Sequence, residues 1–514
     1  MIDNEETNDS WTPKSYPIPE HWLYTELEDI FKNLSLTNNK LAQKNYDANG
    51  IFPVIDQGMS EIGGYSNDAN KLIKINRPAI VFGDHTKCLK YINFPFIPGA
   101  DGIKVLVPRN PIDPKYAFYA CKSMHLPDRG YSRHYSFLKK CNFPLAPLNE
   151  QKRIVAKIEE LFSELDNGIA ALKTARTQLK VYRQALLKHA FAGKLTAKWR
   201  EENADKLETP EQLLARIQKE RDARYQEQLE DWKAAIKEWE AKGKEGKKPG
   251  KPKEPIAPIL YKSNFDIPNY WVTSNLGLIA DVSGGLTKNQ KRNSLPVKMK
   301  YLRVANVYAD KLLLDNVEEI GVTHAEAKKV LLIKNDLLVV EGNGSVEQIG
   351  RVALWDASKP GCGHQNHLIR VRLDNPDYAR FVLLFLLSPV GRDLIVKEAS
   401  STSGLHTLSI SKISNLQIPI VTLSEAKLLI NIVDEKIALA AKLEEDIQTE
   451  LKRADTLRQS ILKQAYSGKL VLQDLNDEPA AELLARIKAD KEQQKTPSKK
   501  STYKPNRKKV REEV

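Results

Sequence analysis

The chain has 514 residues with a formal net charge of +13 at pH 7, and hydrophobic residues make up 41% of it. A chain of this length should hold several domains, each large enough to bury its own core. The basic balance favours an acidic partner. The longest apolar run, FVLLFLL at residues 381–387, is far too short to span a bilayer, so no membrane partner is expected.

Four scattered cysteines (Cys88, Cys121, Cys141 and Cys362) include no CxxC pair, so neither a disulfide framework nor a cysteine-rich zinc site is predicted. This cysteine usage fits a reducing cytoplasm. The N-terminus, MIDNEETNDSW, is acidic and polar, unlike a secretory signal peptide. A cytoplasmic protein is therefore expected.

Residues 1–15 are predicted to be disordered, and a first domain then occupies residues 16–147, opening on YPIPEHW (16–22). Short apolar runs predict strands at 79–82 and 102–107, and Pro114 introduces a predicted helix over 115–124. These elements indicate a mixed α/β domain.

Two polar loops of this domain, GDHTK (83–87) and DRGYSRHYSFLKK (128–140), interleave cations with aromatic rings. Arginine can pair bidentately with guanine, while lysine binds phosphates. The alternative for any single residue is an ordinary surface loop that satisfies its own turn. The candidate DNA-contacting residues are Lys87, Arg129, Tyr131, Arg133, His134 and Lys139.

Residues 148–198 are predicted to form a long helix, because apolar residues recur every seven positions in two interlocked series. Such a seam needs a partner helix to bury it. The predicted seam positions are Ile154, Ile158, Leu161, Leu165, Leu172, Leu179 and Leu186, with Gly168, Ala175 and Tyr182 continuing one series.

Residues 199–262 combine a helical extension with a basic linker. Tyr225, Leu229, Trp232, Ile236 and Trp239 fall on one helical face, which predicts an amphipathic helix. The Lys/Gly/Pro-rich linker at 242–255 is expected to be flexible or extended and not to pack.

A second domain, residues 263–422, opens on FDIPNYW (265–271), which echoes the opening of the first. Strands are predicted at 301–307, 331–340, 350–355 and 367–373, and a buried helix at 378–387. This is a second mixed α/β domain.

The polar loops of the second domain are EGNGS (341–345), GHQNH (363–367) and SSTSGLH (400–406), and their amides suit adenine edges. The candidate DNA-contacting residues here are Asn343, Ser345, His364, Gln365, Asn366 and Ser401. Cys362, His364 and His367 are the tightest group of possible metal ligands. Their spacing matches no common zinc site, so no metal site is predicted.

Residues 423–472 copy the first long helix at a fixed offset of 275 residues, and RQALLKHAFAGKL (183–195) maps without a gap onto RQSILKQAYSGKL (458–470). Lys436 and Glu450 interrupt the copied heptads. Residues 473–514 repeat the string LLARI and then form a basic tail predicted to be disordered. The predicted seam positions of the copy are Leu429, Val433, Leu443, Ile447, Leu457 and Ile461.

The predicted fold class is therefore α+β: two mixed α/β domains separated by two long α-helices in a pseudo-two-fold tandem repeat. We expect the helices to pair as an antiparallel coiled coil, with a linker or a homo-oligomer zipper as the alternatives. A helix of about 40 residues spans roughly 60 Å. Two domains held that far apart would suit a split DNA site.

The motifs of several enzyme classes are missing from the sequence. It contains no G-x-x-x-x-G-K-[ST] loop, no Asn/Asp-Pro-Pro-aromatic string and no G-x-G-x-x-G context for a dinucleotide fold. No catalytic constellation stands out among the histidines. We therefore predict a protein that is not an enzyme by itself and holds no cofactor.

Over nearly its whole length the chain resembles the specificity subunit of Type I restriction-modification enzymes. The resemblance rests on strings that include FPLAPLNEQKRIVAKIEELF (143–162), RQALLKHAFAGKLTAKWRE (183–201), YLRVANVYADKL (301–312), VVEGNGSVEQIGR (339–351) and HQNHLIRVR (364–372). IPIVTLSEAK departs from the family pattern, with Thr422 and Ala426 where Pro and Gln are usual.

The resemblance implies a non-catalytic subunit in which residues 16–147 and 263–422 are target-recognition domains, each reading half of a bipartite DNA site. It also implies partners: double-stranded DNA, two methyltransferase subunits and two motor-nuclease subunits. S-adenosylmethionine, ATP and Mg²⁺ would be bound by those subunits. The alternatives are a coiled-coil scaffold that does not read DNA and a self-contained methyltransferase or nuclease.

Overall fold

The computed structural model describes residues 11–245, 248–252, 254–255, 261, 263, 265–402 and 405–495. The chain divides into two compact units. Unit 1 combines residues 1–173 with residues 448–514, and unit 2 is the continuous stretch 174–447. Each unit therefore contains one mixed α/β domain and one part of each long helix.

The first domain alternates short strands with short helices. Its strands are β1 (Leu23–Glu26), β2 (Phe31–Asn33), β3 (Leu41–Ala42), β4 (Phe52–Ile55), β5 (Gly64–Ser66), β6 (Ala79–Gly83), β7 (Leu89–Ile92), β8 (Ile97–Ala100), β9 (Ile103–Pro108) and β10 (Asn142–Leu145). Its helices are α1 (Leu27–Ile30), α2 (Pro114–Ser123) and α3 (Tyr135–Lys140). The strands predicted at 79–82 and 102–107 and the helix predicted after Pro114 are confirmed. Asp113 starts α2 by accepting hydrogen bonds from the backbone N–H groups of Lys115 and Tyr116.

Helical segments occupy much of the stretch between the two domains: α4 (Leu148–Phe191), α5 (Ala197–Glu202) and α6 (Pro210–Ala241). Thr209 and Gln212 form reciprocal hydrogen bonds that start α6. The predicted apolar face of α6 is half-buried along its length. The indole Nε1 of Trp232 donates to the carbonyl oxygen of Pro249 at 3.0 Å. The prediction that the linker does not pack is therefore wrong at Pro249, which contacts Trp232 on the apolar face of α6.

The second domain has more strands than the first among the residues that the structure describes. They are β11 (Val272–Asn275), β12 (Ala280–Gly284), β13 (Val297–Leu302), β14 (Val307–Tyr308), β15 (Lys311–Leu312), β16 (Glu318–Val322), β17 (Leu337–Val340), β18 (Gly342–Asn343), β19 (Val352–Leu354), β20 (Gly363–His364), β21 (Leu368–Leu373), β22 (Ser400–Thr402), β23 (Leu405–Thr407) and β24 (Gln417–Ile420). Its helices are α7 (His324–Val330), α8 (Ala379–Leu387), α9 (Pro389–Glu398) and α10 (Ile410–Ser414).

The two domains share one scaffold. Each contains an antiparallel four-stranded sheet, with strand order β2-β9-β6-β7 in the first and β12-β21-β17-β19 in the second. Each also pairs its opening strand with its closing strand, β1 with β10 and β11 with β24. The smaller sheets differ, because β3-β8-β4-β5 has no counterpart of the same order in the described part of the second domain. The predicted tandem repeat is confirmed.

Two predicted strands of the second domain are longer than the observed ones. Of residues 331–340 only β17 is extended, because the Asp336 carboxylate accepts from the N–H of Ile333 (2.8 Å) and Asn335 has φ +73°, which together make a turn. The strand predicted at 301–307 ends at Leu302 in β13 and gives way to a 3-10 turn over 304–306. The other predicted strands and the buried helix, observed as α8, are confirmed.

The predicted disorder of residues 1–15 is wrong at its C-terminal end. The Trp11 ring packs edge-on against Phe137, with ring centroids 5.4 Å apart. Residues 1–10 lie outside the described residues, as does the basic tail from 496 onward.

The second long helix is α11 (Leu423–Ala465), followed by α12 (Ala480–Lys495). In unit 1, Ile158 near the start of α4 shares an apolar cluster with Ile461 and Leu462 near the end of α11. Further along α4, Asp166 pairs with Arg458, which lies earlier on α11. The helix segments of unit 1 therefore run antiparallel.

Unit 2 shows the same sense of pairing. Leu186 near the end of α4 shares a cluster with Leu429 and Val433 near the start of α11. Arg183, earlier on α4, pairs with Glu444, later on α11, at 2.8 Å. Each unit thus joins the beginning of one long helix to the end of the other.

Part of the predicted seam is displaced by one residue. Leu443 and Leu457 are 45% and 48% exposed, while the neighbouring Glu444 and Arg458 are half-buried and carry the ion pairs between the helices. The aliphatic stems of such side chains can cover apolar surface while their charged ends pair. Tyr182, at the equivalent place on α4, is exposed as well. Gly168, which continued the predicted series on α4, is exposed too. The remaining predicted positions are buried or half-buried: Ile154, Ile158, Leu161, Leu165, Leu172, Ala175, Leu179, Leu186, Leu429, Val433, Ile447 and Ile461.

A glycine follows each long helix in the left-handed region, with φ +68° at both Gly193 and Gly468. A Cβ on Gly193 would lie 2.1 Å from Cγ of Pro268, and one on Gly468 would lie 2.2 Å from Cγ of Pro19. These prolines belong to the echoed opening motifs FDIPNYW and YPIPEHW. In each repeat, the glycine of the copied GKL string therefore packs against the proline of the echoed opening motif.

Candidate nucleic-acid interface

In the first domain, the loop after β6 is tied to the segment before α3. The carbonyl oxygen of Asp84 accepts from the backbone N–H of His134 (2.8 Å), and Asp84 Oδ1 accepts from the N–H of Tyr135 (2.8 Å). Lys87 Nζ lies 3.2 Å from Oδ1 of Asp128. The two polar loops singled out in the sequence therefore form one continuous surface.

This surface presents an aromatic ring and several cations. Tyr131 is 82% exposed and stacks on the ring of His85, with centroids 4.4 Å apart and planes 7° from parallel. The Arg129 guanidinium lies over the Phe137 ring at 5.4 Å, and Arg133 is exposed. Lys139 is also exposed, but its Nζ lies 2.5 Å from a carboxylate oxygen of Glu28.

His134 requires a correction. Its side chain is fully buried, and Nδ1 lies 3.1 Å from the carbonyl oxygen of Asp84. A buried ring cannot reach a DNA groove, so His134 leaves the set of candidate contacts. Its observed contacts instead join the loop after β6 to the start of α3.

In the second domain, the three predicted polar loops converge. Asn343 in β18 lies opposite His406 in β23, and Ser401 in β22 lies opposite His406 on the other side. The N–H of Glu341 donates to the carbonyl oxygen of His367 (3.0 Å). The loops EGNGS, GHQNH and SSTSGLH are thereby joined, although residues 403 and 404 are outside the described part.

The polar side chains of these loops are held by local contacts. Asn343 Oδ1 accepts from the N–H of Ser345 (2.9 Å), and Ser345 is exposed. Asn366 Nδ2 lies 3.5 Å from Nε2 of His367. Gln365 is half-buried. The side chain of Ser401 lies outside what the structure describes.

His364 is the second correction. Its side chain is fully buried, and Nδ1 lies 2.9 Å from the carbonyl oxygen of Leu368. Burial lowers the pKa of His364 to about 4, because removal from water disfavours the charged ring. His364 is therefore a neutral core residue at pH 7 and leaves the set of candidate contacts.

Both domains, each with the start of a long helix, correspond to one known sequence family. Residues 19–174 and 268–453 match a family model described as the Type I restriction modification DNA specificity domain. The two matches together cover more than half of the chain. The chain belongs to this family.

Relatives of the Type I specificity family align with about two thirds of the chain. The Type I restriction enzyme StySPI specificity subunit of Salmonella potsdam is 26% identical over 360 residues, which are 68% of this chain and 64% of that protein. The EcoKI specificity subunit of Escherichia coli (strain K12) is 26% identical over 363 residues, again 68% and 64%. The chain thus spans 64% of the length of these curated relatives.

A solved chain from a type I R-M system has the same fold. It covers 88% of this chain and 100% of its own length, with a TM-score of 0.56 and 14% sequence identity. At that identity the likeness concerns the arrangement of elements, and it agrees with the repeat of domain and long helix described above.

Three further residues of the candidate surfaces in this Type I specificity protein are evident only from the fold. His85 and Glu341 stand inside the strings GDHTK and EGNGS, and only the fold shows that His85 supports Tyr131 and that Glu341 lies 2.9 Å from the His367 ring. Tyr308, 42% exposed beneath the Arg351 guanidinium at 4.8 Å, was also missed. A sequence signal for Tyr308 is absent, because it lies in a two-residue strand outside the polar loops.

Neither a metal cluster nor a membrane helix occurs in the part of the family fold that the structure describes. No group of three or more His, Cys, Asp or Glu side chains there could hold a metal ion. Cys362 is buried, and His367 faces Glu341 instead. Among the same residues no helix is long and apolar enough to cross a bilayer.

Proposed function

We propose that this protein is the DNA-reading subunit of a Type I restriction-modification complex and recognises a bipartite, asymmetric site. The observation that carries the proposal is the pair of domains with one scaffold and unlike loops. Both use the same sheet order, but the first exposes Tyr131 and Arg133 beside the half-buried Lys87, and the second exposes Ser345 and His367. Equal scaffolds with different loop chemistry suit two different half-sites.

The long helices would set the unread spacer between the half-sites. The helices pack antiparallel within each unit, with ion pairs of Arg183 with Glu444 and of Arg458 with Asp166. Each domain shares an apolar core with the helix segments of its own unit. An insertion of four residues near Ala175 should therefore change the preferred spacer length. The bases recognised in the half-sites should stay the same.

Catalysis belongs to the partners in this proposal. The chain would position two methyltransferase subunits, which bind S-adenosylmethionine, and two motor-nuclease subunits, which use ATP and Mg²⁺. By itself it would have neither activity, in keeping with the absence of their motifs from the sequence. The expected location is the cytoplasm, where the DNA is.

The test is a domain exchange read out by mapping methylated adenines in the genome of cells that carry the complex. Replacing residues 16–140 with those of a relative should change one half of the methylated motif and leave the other half and the spacer intact. The reciprocal control replaces residues 265–420 and should change the other half alone. A change in both halves, or in neither, would contradict the proposal.

A second measurement concerns binding of the full-length chain to its mapped duplex at increasing salt. Phosphate contacts release counterions, so log K should fall steeply and linearly with log [salt]. Binding that is absent or insensitive to salt would instead favour a scaffold that does not touch DNA.

A further inference from the structure

The most exposed aromatic ring of the first domain's candidate surface is held in a fixed orientation. Tyr131 is 82% exposed, yet one face of its ring is covered by the parallel ring of His85 at 4.4 Å. The other face is open. An exposed ring that is held parallel to a supporting ring offers a preformed face on which a base can stack.

His85 is itself anchored to the domain. Its backbone N–H donates to Oε1 of Gln57 at 3.3 Å, and the next residue, Thr86, donates from Oγ1 to the carbonyl oxygen of Gln57 at 2.7 Å. Asp84, on the other side, holds the backbone of His134 and Tyr135. The support beneath Tyr131 is therefore fixed by hydrogen bonds on both sides.

The residues around the stack suit a nucleotide better than a protein partner. Lys87, Arg129 and Arg133 lie in the two loops that form the stack, and Gly130 beside Tyr131 faces open space, with φ +59°. Cations at the rim bind phosphates, while an aromatic face binds the apolar surface of a base. Interfaces between proteins are also enriched in tyrosine and arginine, but they are depleted of lysine.

We propose that Tyr131 is a specificity-determining residue, whose open ring face contacts the apolar surface of one nucleobase in the half-site read by the first domain. This inference rests on the proposed function. The apolar surface is either the methyl group of a thymine in the major groove or the plane of a base at an opened step. His85 acts as a positioning residue by supporting the ring.

The test measures binding of the full-length chain to duplexes that carry the mapped bipartite motif, at one fixed salt concentration. Each thymine of the first half-site is replaced in turn by deoxyuridine, which lacks only the methyl group. One replacement should weaken binding of the unaltered protein roughly 5- to 20-fold. The same replacement should have no effect on Tyr131→Ala, because the contact is already lost.

A second arm detects an opened step. 2-Aminopurine at each position of the first half-site should change its fluorescence on binding at one position, and Tyr131→Ala should abolish that change. Either arm alone supports the inference and identifies the surface contacted. Tyr131→Phe should behave like the unaltered protein, and His85→Ala should reduce the effect at the same position.

The matched control is Tyr308→Ala, an exposed tyrosine of the second domain. Any change in affinity that it causes should be the same for every base replaced in the first half-site. If Tyr131→Ala keeps the same affinity and the same base profile, the inference is overturned. It is also overturned if affinity falls equally for every base. In those cases the domain exchange would still change one half-site, so the proposed function would stand.

Discussion

The two domains differ most clearly at the buried carboxylate with which each long helix begins. Glu150 on α4 and Glu425 on α11 are equivalent at the offset of 275, and both are buried. Glu150 accepts from the indole Nε1 of Trp22 (2.8 Å) and lies 3.1 Å from Nε2 of His21. These partners come from the opening motif of its own domain.

Glu425 draws its partners from another part of the chain. It accepts from Oγ1 of Thr196 (2.7 Å) and from the Arg200 guanidinium, both in the segment that follows α4. The equivalent carboxylates are thus stabilised by an indole in one domain and by an arginine that is 11% exposed in the other. In both copies of the duplicated scaffold the buried carboxylate has hydrogen-bond partners, but the partner residues differ.

The largest expected loss of stability follows the removal of the Arg200 side chain. Arg200→Ala would leave the carboxylate of Glu425 buried without its cation, which should cost about 3–5 kcal/mol of unfolding free energy. His21→Ala should cost only about 1 kcal/mol, because Glu150 keeps the Trp22 hydrogen bond. Urea unfolding, localised by hydrogen exchange in the β11–β24 and β1–β10 peptides, measures both. Equal losses would show that the ion pair adds nothing beyond a neutral hydrogen bond.

Acid should weaken the second domain through His364. Its pKa is about 4 in the folded domain and 6.5 as an unperturbed group. Between these pH values the unfolded chain therefore binds more protons than the folded domain. The free energy of unfolding keeps its full value above pH 6.5 and falls by up to about 3 kcal/mol as the pH drops to 4. Hydrogen exchange of β20–β21 at pH 7.5 and pH 5 reports the loss.

His364→Asn should flatten that pH dependence. Peptides from β8–β9 of the first domain correct for the general effect of pH on exchange. A pH dependence that survives in His364→Asn would assign it to another group.

Truncation of a buried seam residue should lower the free energy of unfolding by a similar amount in the two units. Ile447→Ala in unit 2 and Ile461→Ala in unit 1 should each cost about 2 kcal/mol, because both side chains are nearly buried. Leu443→Ala and Leu457→Ala should each cost less than about 0.5 kcal/mol, since both are nearly half exposed. Thermal unfolding of the four variants provides the comparison. A larger loss at Leu443 or Leu457 would restore the seam predicted from apolar residues alone.

The smallest expected effect concerns the ion pair that fixes each domain to its long helix. Arg380 on α8 binds Asp434 through Nε and Nη2, and Asp310 through Nη1, whereas Lys115 on α2 makes a single contact with Glu159. Arg380→Ala should cost about 1 kcal/mol and Lys115→Ala less than about 0.5 kcal/mol, since the lysine pair is more exposed. Chemical denaturation at low and high salt tests this, and a salt effect equal in both would contradict it.

The repeat and the long helices were predictable because they rest on periodicity and on an offset that can be counted. The seam register was not, because counting apolar residues overlooks Glu444 and Arg458, whose stems are half-buried while their ends pair. A charged residue at a seam position is identifiable only when its partner across the helices is known.

The sequence could predict which loops form the candidate surfaces, but it could not predict which side chains of those loops are exposed. The loops around Lys87 and Tyr131 do meet, as do those around Asn343 and Gln365, because backbone hydrogen bonds join them. His134 and His364 lie in equally polar strings, yet backbone carbonyl oxygens hold their rings in the interior. Burial of one ring within a polar loop depends on tertiary contacts that no local pattern reports.

The division of the chain into units has a consequence for the order of events during synthesis. Unit 2 is one continuous stretch, so all its parts have left the ribosome once residue 447 has emerged. Unit 1 must wait for residues 448–495, which bring Ile461, Tyr466 and Leu483 into its core. The first domain to be translated is therefore the last to be completed. Until then its apolar surface for these residues stays uncovered, where it can misfold or bind chaperones.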